Sequence, residues 1–380
     1  MKNDPYKSLE KYKKWTEKVK TGIPGIRKAN SDIIIEYLSD MELGLNIALG
    51  TKKGGRSYIR LNSLKERLLF LAKQFETRFN SDLRGITEQN LHKFFFDLRN
   101  GTIRKKDGQK YKSAGDFAKD FRSFWHWYIK ISKKKGQEVY DIAQDIDTKK
   151  DKPAWVYLTE EDIKKLCNNV QYNYKVLIMF LFDSGVRSPT ELFNIKISDF
   201  SSDFKELNVR QEISKTFGRR IKLMISPELL KEYVTLNNLD KDDFLFEINH
   251  SVTNRYLKRV ALRVFGDNPS PAGAKYSELT MYDLRHNSCC YWLPRYKSES
   301  ALKYRFGWKK SEEIHYYSEL LGMRDTIQED DMLIDITKTE IEKKLEKSER
   351  DKEILISRLE TMEMQMKQVL ELTNQLGMKI

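Results

Sequence analysis

The feature that most constrains this 380-residue chain is a single interruption in an otherwise helical pattern. Between residues 206 and 226, ELNVRQEI and RRIKLMIS read as two short strands around the turn SKTFG, with Gly218 free to take a positive φ. Elsewhere apolar residues recur at helical spacing. The pattern predicts helices over 31–49, opened by Ser31 and Asp32, and over 61–79, 86–101 and 112–132. Thr87 starts the third of these and Gly101 stops it. Thr159-Glu160-Glu161-Asp162 opens another, followed by the apolar YKVLIMFLFDSG, and the pattern from 227 to 322 is mostly helical. The predicted fold class is mainly α with a small antiparallel β-sheet.

Charge divides the chain. Residues 1–152 hold 34 basic and 20 acidic residues (+14), residues 153–330 hold 26 and 25, and residues 331–380 hold 9 and 11. QDIDTKKDKPAWVY (144–157) reads as a linker, charged and proline-containing. In the tail, positions spaced alternately by four and three from Ile341 to Leu376 are apolar at eight of eleven steps, which predicts a coiled coil. A single amphipathic helix packed on its own domain is the other reading of that pattern. The expected organisation is an N-terminal helical, basic extension (1–62), a helical DNA-binding domain (63–150), a catalytic domain (153–330) and a C-terminal coiled coil (331–380).

Several classes are excluded. No run approaches eighteen apolar residues, so no membrane span is expected, and MKNDPYKSLEKYKKW lacks the apolar core of a secretory leader. Cys167, Cys289 and Cys290 suit neither a disulfide framework nor a zinc site and read as small core residues. No phosphate-binding glycine loop appears, and no cofactor or metal is expected.

Three separated segments carry chemistry together: SGVRSPTEL (184–192), YDLRH (282–286), and FGWKKSEEIHYY (306–317), with Lys215-Thr216-Phe217-Gly218-Arg219 between the first two. In their order they resemble the boxes of the tyrosine recombinases, the phage-integrase family, and especially archaeal-type integrases. The resemblance covers about 155–325, and the helical module before it resembles the family's core-binding domain more loosely. It implies a site-specific DNA recombinase or integrase that forms a 3′-phosphotyrosyl intermediate without cofactor or metal. It also implies a C-shaped clamp on double-stranded DNA, four protomers in a synapse, and a prokaryotic, cytoplasmic setting.

By that resemblance Arg187 and Arg285 grip the phosphate oxygens as planar, permanently charged forks. Lys215 protonates the leaving 5′ oxygen, His286 orients or exchanges a proton, and Trp308 donates its indole N–H and packs the site. Tyr317, nine residues after Trp308, attacks phosphorus, with the neighbouring Tyr316 as the alternative nucleophile. Two departures stand out. Tyr282 occupies the usual histidine position, and Glu191 lies four residues after Arg187 where the family's acid lies three after. Glu191 is either an orienter or a first-turn helix acid.

The basic clusters Lys52, Lys53 and Arg56, then Arg104, Lys105, Lys106, Lys110 and Lys112, then Lys133, Lys134 and Lys135 are candidate phosphate contacts. The acidic tail suits protein rather than DNA, and a dimerising coiled coil is expected. Two rival functions stay open: a type IB topoisomerase-like nicking and closing enzyme, and a catalytically silent architectural DNA-binding protein.

Overall fold

A computed structural model describes residues 4–47, 53–149, 154–296 and 298–320, with scattered positions between 348 and 366. The chain forms one compact unit over residues 1–321 and a second over 322–380. Among the described residues no helix is long and apolar enough to cross a membrane.

Five helices build the N-terminal part: α1 (Ser8–Lys18), α2 (Lys28–Leu43), α3 (Tyr58–Phe79), α4 (Glu88–Asn100) and α5 (Ala114–Lys134). Thr87 Oγ1 caps α4 by accepting the Asn90 N–H, and Gly101 ends it in the left-handed region. The second helix begins at Lys28 and ends at Leu43, earlier at both ends than the 31–49 pattern suggested, because Gly44 turns left-handed there. Helix α1 had no place in the sequence reading. Its Tyr12 is buried in the same core as residues of α2 to α5.

That core is largely aromatic: the Phe75 ring meets Phe94 edge-on at 5.1 Å, and Phe121 stacks on Trp125 at 5.8 Å. Such pairs add about 0.5–1.5 kcal/mol each beyond area burial. The 62/63 boundary falls inside α3, with buried side chains on both sides of it.

The rest of the first unit holds α6 (Glu160–Cys167), α7 (Tyr172–Ser184), β1 (Glu206–Val209), β2 (Arg219–Lys222), α8 (Pro227–Leu236), α9 (His250–Phe265), α10 (Met281–Trp292), α11 (Glu299–Phe306) and α12 (Glu312–Leu320). Antiparallel pairing sets Glu206 opposite Lys222 and Val209 opposite Arg219. The strands are shorter than the sequence suggested, and the turn is correspondingly longer. Gly218 does not take a positive φ. It is wanted for closeness, since a Cβ there would stand 3.0 Å from the Gln211 nitrogen and 3.2 Å from the Val209 oxygen.

Helix α10 packs along α7, and their apolar faces join one core with Leu207, Ile221 and Leu257. The start of α10 is a capping box in which the Asp283 carboxylate accepts the Thr280 N–H at 2.7 Å.

The predicted linker is partly core at both ends. Ala143 and Ile146 are buried in the N-terminal core, and Arg122 donates to the Ala143 and Gln144 carbonyls at 3.0 Å. At the far end Trp155 and Val156 are buried against the second half. Of the eleven seam positions, 341, 345, 369, 373 and 376 lie outside the described residues, and the polar Ser348 and Lys352 are described as helical and exposed, like the apolar positions that follow. The described apolar positions, Leu355, Leu359, Met362 and Met366, are helical and exposed.

Candidate active site

The site forms where the ends of two helices meet α10. Helix α7 closes at Gly185, whose φ of +62° carries the chain away; a Cβ there would strike the Phe306 ring and Ser288 Oγ. Two residues later comes Arg187. Its carbonyl accepts the N–H groups of Glu191 (2.9 Å) and Leu192 (3.2 Å), and the Ser188–Pro189 peptide within this turn is cis. The turn folds the Glu191 carboxylate back onto the Arg187 N–H at 2.9 Å and its Nη1 at 2.8 Å. The extra residue therefore does not keep the Glu191 carboxylate from reaching Arg187.

Glu191 is fully buried and holds a second guanidinium as well. Arg219 donates to it from Nη1 (3.1 Å) and Nη2 (2.8 Å), and from Nε to the Arg305 carbonyl (2.8 Å). Burial alone would raise the Glu191 pKa. The hydrogen bonds and charge of Arg219, then the charges of Arg285 and Arg187, outweigh it and bring the carboxyl down to about 2. Gly307 makes room for this pair: a Cβ there would lie 3.0 Å from Arg219 Nη1 and 3.2 Å from Arg187 Nη1. Its carbonyl accepts from Arg187 Nη2 and from Thr216 Oγ1, both at 2.8 Å.

Arg219 was quoted in the hairpin motif but not chosen as a site residue. The signal was present: in RRIKLMIS it shares parity with Ile221 and Leu223, and β2 alternates buried and exposed from Arg219 onward. Beneath it lies a second buried pair, Arg305 with Asp183. The Asp183 carboxylate also accepts the N–H groups of Met224 (3.0 Å), Ile225 (2.8 Å) and Ser226 (2.9 Å).

Helix α10 supplies Tyr282, Arg285 and His286. Arg285 is buried, and its Nη1 and Nη2 donate to the carbonyls of Gly185 and Phe306, the residues next to the two helix ends. Desolvation, then the charge of Arg187, lowers its pKa to about 10, so it stays cationic at neutral pH. Each nitrogen has a second N–H to offer. Tyr282 is exposed and sets its ring edge-on to His286 at 5.0 Å.

Tyr317 and His286 face each other. Nδ1 of the imidazole lies 2.5 Å from the Tyr317 hydroxyl oxygen. Desolvation, then the charge of Arg285, lowers the His286 pKa to about 3, so the ring is neutral and Nδ1 can accept the phenolic proton. Burial, then the neighbouring Cys289, raises the Tyr317 pKa, so the phenol is protonated until a base takes its proton. Trp308 stacks parallel to Tyr317 at 5.8 Å and on Phe306 at 4.9 Å. Tyr316 packs at the edge of the same cluster, 5.3 Å from the Tyr317 ring, and does not line the cavity described next.

Arg187, Lys215, Tyr282, Arg285, His286, Trp308 and Tyr317 all line one cavity of about 300 Å³. Lys215 is exposed at its rim, between Ser214 and Thr216, which bond to Glu191 and Gly307. Lys309 and Lys310 line it as well and were not singled out, although they directly follow Trp308. Cys289 and Cys290 are buried, and burial pushes the Cys290 and Cys167 thiols up to about 12, as suits core residues.

The candidate phosphate contacts lie elsewhere. Lys52 is outside the described residues, Lys53 is exposed and Arg56 half-buried. Arg104 is exposed but donates to the carbonyls of Gly101 (2.9 Å) and Gly108 (3.1 Å), and so shapes the loop that carries Lys105, Lys106, Lys110 and Lys112. Lys133, Lys134 and Lys135 are exposed at the end of α5, and Lys134 donates to Asn46.

No sequence model of a protein family matches the chain, and no curated protein matches it in sequence. Solved structures do match in fold. The Tn1549 transposon integrase, in complex with transposon right-end DNA, is 11% identical, with 79% of this chain and 96% of that one covered at a TM-score of 0.55. A lambda integrase dimer bound to a COC′ core site is 14% identical, with 78% and 79% covered at 0.56. The XerH site-specific recombinase bound to its palindromic difH substrate is 17% identical, with 70% and 78% covered at 0.52. The chain has the fold of the tyrosine recombinases and integrases.

Proposed function

We propose that this chain cleaves and rejoins DNA strands at specific sites through a phosphotyrosyl intermediate on Tyr317. The observation that carries this reading is the Tyr317 hydroxyl set on the neutral His286 ring, in the wall of a cavity that Arg187, Arg285 and Lys215 also line. A phosphodiester in that cavity receives donors from both arginines, which match the charge growing on its nonbridging oxygens. Tyr317 Oη attacks phosphorus while its proton passes to His286 Nδ1, whose basicity the negative charge of the bound phosphodiester raises above its value in the DNA-free chain. The bond from phosphorus to the 5′ oxygen breaks, and Lys215 Nζ protonates the leaving oxygen. Rejoining runs these steps backwards. One phosphoester replaces another, so the exchange needs no external energy source.

In this reading the +14 N-terminal module grips duplex phosphates, and protomers assemble as a tetramer on paired sites. The exposed seam residues Leu355, Leu359, Met362 and Met366 support pairing through the tail. DNA in the solved structures that share the fold supports duplex DNA as the partner.

The test uses a nicked duplex carrying a sequence selected for binding from a random pool. A covalent adduct on a denaturing gel, lost in Tyr317→Phe and kept in Tyr316→Phe, is expected. The reverse pattern overturns the choice of nucleophile. Tight binding with no adduct marks a silent DNA-binding protein, and relaxation of a single-site plasmid marks a topoisomerase.

A further inference from the structure

We propose that Trp155 is a positioning residue for the His286–Tyr317 pair, placed where the chain enters the catalytic half. The proposal deepens the reading of Tyr317 as nucleophile and rests on it.

Trp155 is 3% exposed although it ends a highly charged segment. Its backbone is anchored on both sides: its N–H donates to the Ala272 carbonyl at 3.3 Å, and its carbonyl accepts from the Ala274 N–H at 3.3 Å and Ser270 Oγ at 3.1 Å. The residues that follow are tied to α10. The Val156 N–H donates to Asp283 at 3.0 Å and the Leu158 N–H to Asn287 at 2.7 Å, while Asn287 Nδ2 returns to the Val156 carbonyl at 3.0 Å. Asp283 and Asn287 lie one helical turn apart and bracket Arg285 and His286 in sequence. The indole is thereby registered against the helix that carries the imidazole.

Its ring centre lies 4.8 Å from that of His286, tilted by 31°, and 6.0 Å from that of Tyr317 at 72°. With Tyr282 edge-on at 5.0 Å, the imidazole is held among three aromatic rings. The indole N–H is buried and has no hydrogen-bond partner among the described residues, so the side chain contributes a ring face and volume rather than a donor. That volume keeps water from one face of the half-buried imidazole and its Nδ1 lone pair turned to the phenol. The titratable groups around His286 are Asp283, Arg285 and Tyr282 on its own helix and Tyr317 from α12, with Arg187, Lys215, Lys309 and Lys310 lining the same cavity. Removing the indole hydrates the imidazole and returns it toward its ordinary titration.

The experiment measures single-turnover adduct formation on the nicked duplex, for the full chain and its variants, from pH 5.5 to 8.5. A hydrated imidazole with a pKa of about 6.5 is neutral in only about one molecule in ten at pH 5.5. The rate of Trp155→Ala relative to the unaltered chain should therefore fall about tenfold between pH 8.5 and pH 5.5. Trp155→Phe, which restores an aromatic face, should recover most of that loss and flatten the ratio. If Trp155→Ala does not fold, Trp155→Leu carries the same comparison. A ratio independent of pH, or Trp155→Phe as damaged as Trp155→Ala, overturns the positioning role. Absence of an adduct from the unaltered chain overturns the nucleophile reading itself.

Discussion

Glu191→Gln removes the one carboxylate set between Arg187 and Arg219 while keeping its shape. The side chains of Glu191 and Arg219 are 0% exposed, so solvent screening does not soften the loss. A carboxyl lowered from 4.5 to about 2 contributes about 3 kcal/mol at neutral pH. Loss of one partner from a buried ion pair costs about 3–5 kcal/mol, in agreement with that figure. The folded-state pKa is depressed, so this stabilisation is fully present above the unfolded value and is lost as pH falls through about 2. Urea unfolding of the full chain, followed by tryptophan fluorescence, should show a gap of about 3 kcal/mol between parent and variant at pH 7, narrowed by about 1 kcal/mol at pH 3.5. Adduct formation should fall about 10²-fold or more, because Arg187 loses the anchor that aims it. A gap below about 1 kcal/mol at pH 7, or one that ignores pH, would refute the idea that a single buried carboxylate organises both guanidiniums.

Three other outcomes are expected. Lys215→Ala should slow cleavage of ordinary DNA by about 10²-fold or more and be rescued when sulfur replaces the scissile 5′ oxygen, since a thiolate leaves without a proton; failure of rescue removes Lys215 as the acid. Changing Lys105, Lys106, Lys110 and Lys112 together to Ala should reduce the slope of log affinity against log salt by about 0.9 for each phosphate the loop no longer neutralises, measured by fluorescence anisotropy; an unchanged slope frees that loop from DNA. Deleting 332–380 should weaken assembly on paired sites, seen by analytical ultracentrifugation, and leave single-site cleavage intact; normal assembly would end the pairing role of the tail.

What the sequence made legible was what lies close along the chain. Arg187, Arg285, His286, Trp308 and Tyr317 sit in short boxes at helix ends, where local spacing and order single them out as candidates, and all of them line the cavity. The residues that hold those boxes together were less visible, because their partners are far away in sequence. Glu191 reaches Arg219 across 28 positions and Arg305 reaches Asp183 across 122, and neither distance leaves a local trace. Trp155 was read as linker because its neighbours are charged and include Pro153, yet its contacts with Ser270 and His286 decide its place. Gly218 carried a different lesson. A glycine in a turn suggested positive φ, but closeness to the backbone of Val209 and Gln211 is what crowds a side chain there.

In the reaction proposed above, the parallel stack of Trp308 on Tyr317 would serve as an optical gauge. A phenol that leaves this stack to bond phosphorus changes the indole's polarity and its quenching in the same event. Emission at Trp308 would then follow a single bond being made and unmade in real time, on DNA bearing no dye. With the other tryptophans changed to phenylalanine, the lifetime of the covalent state could be read directly from the protein.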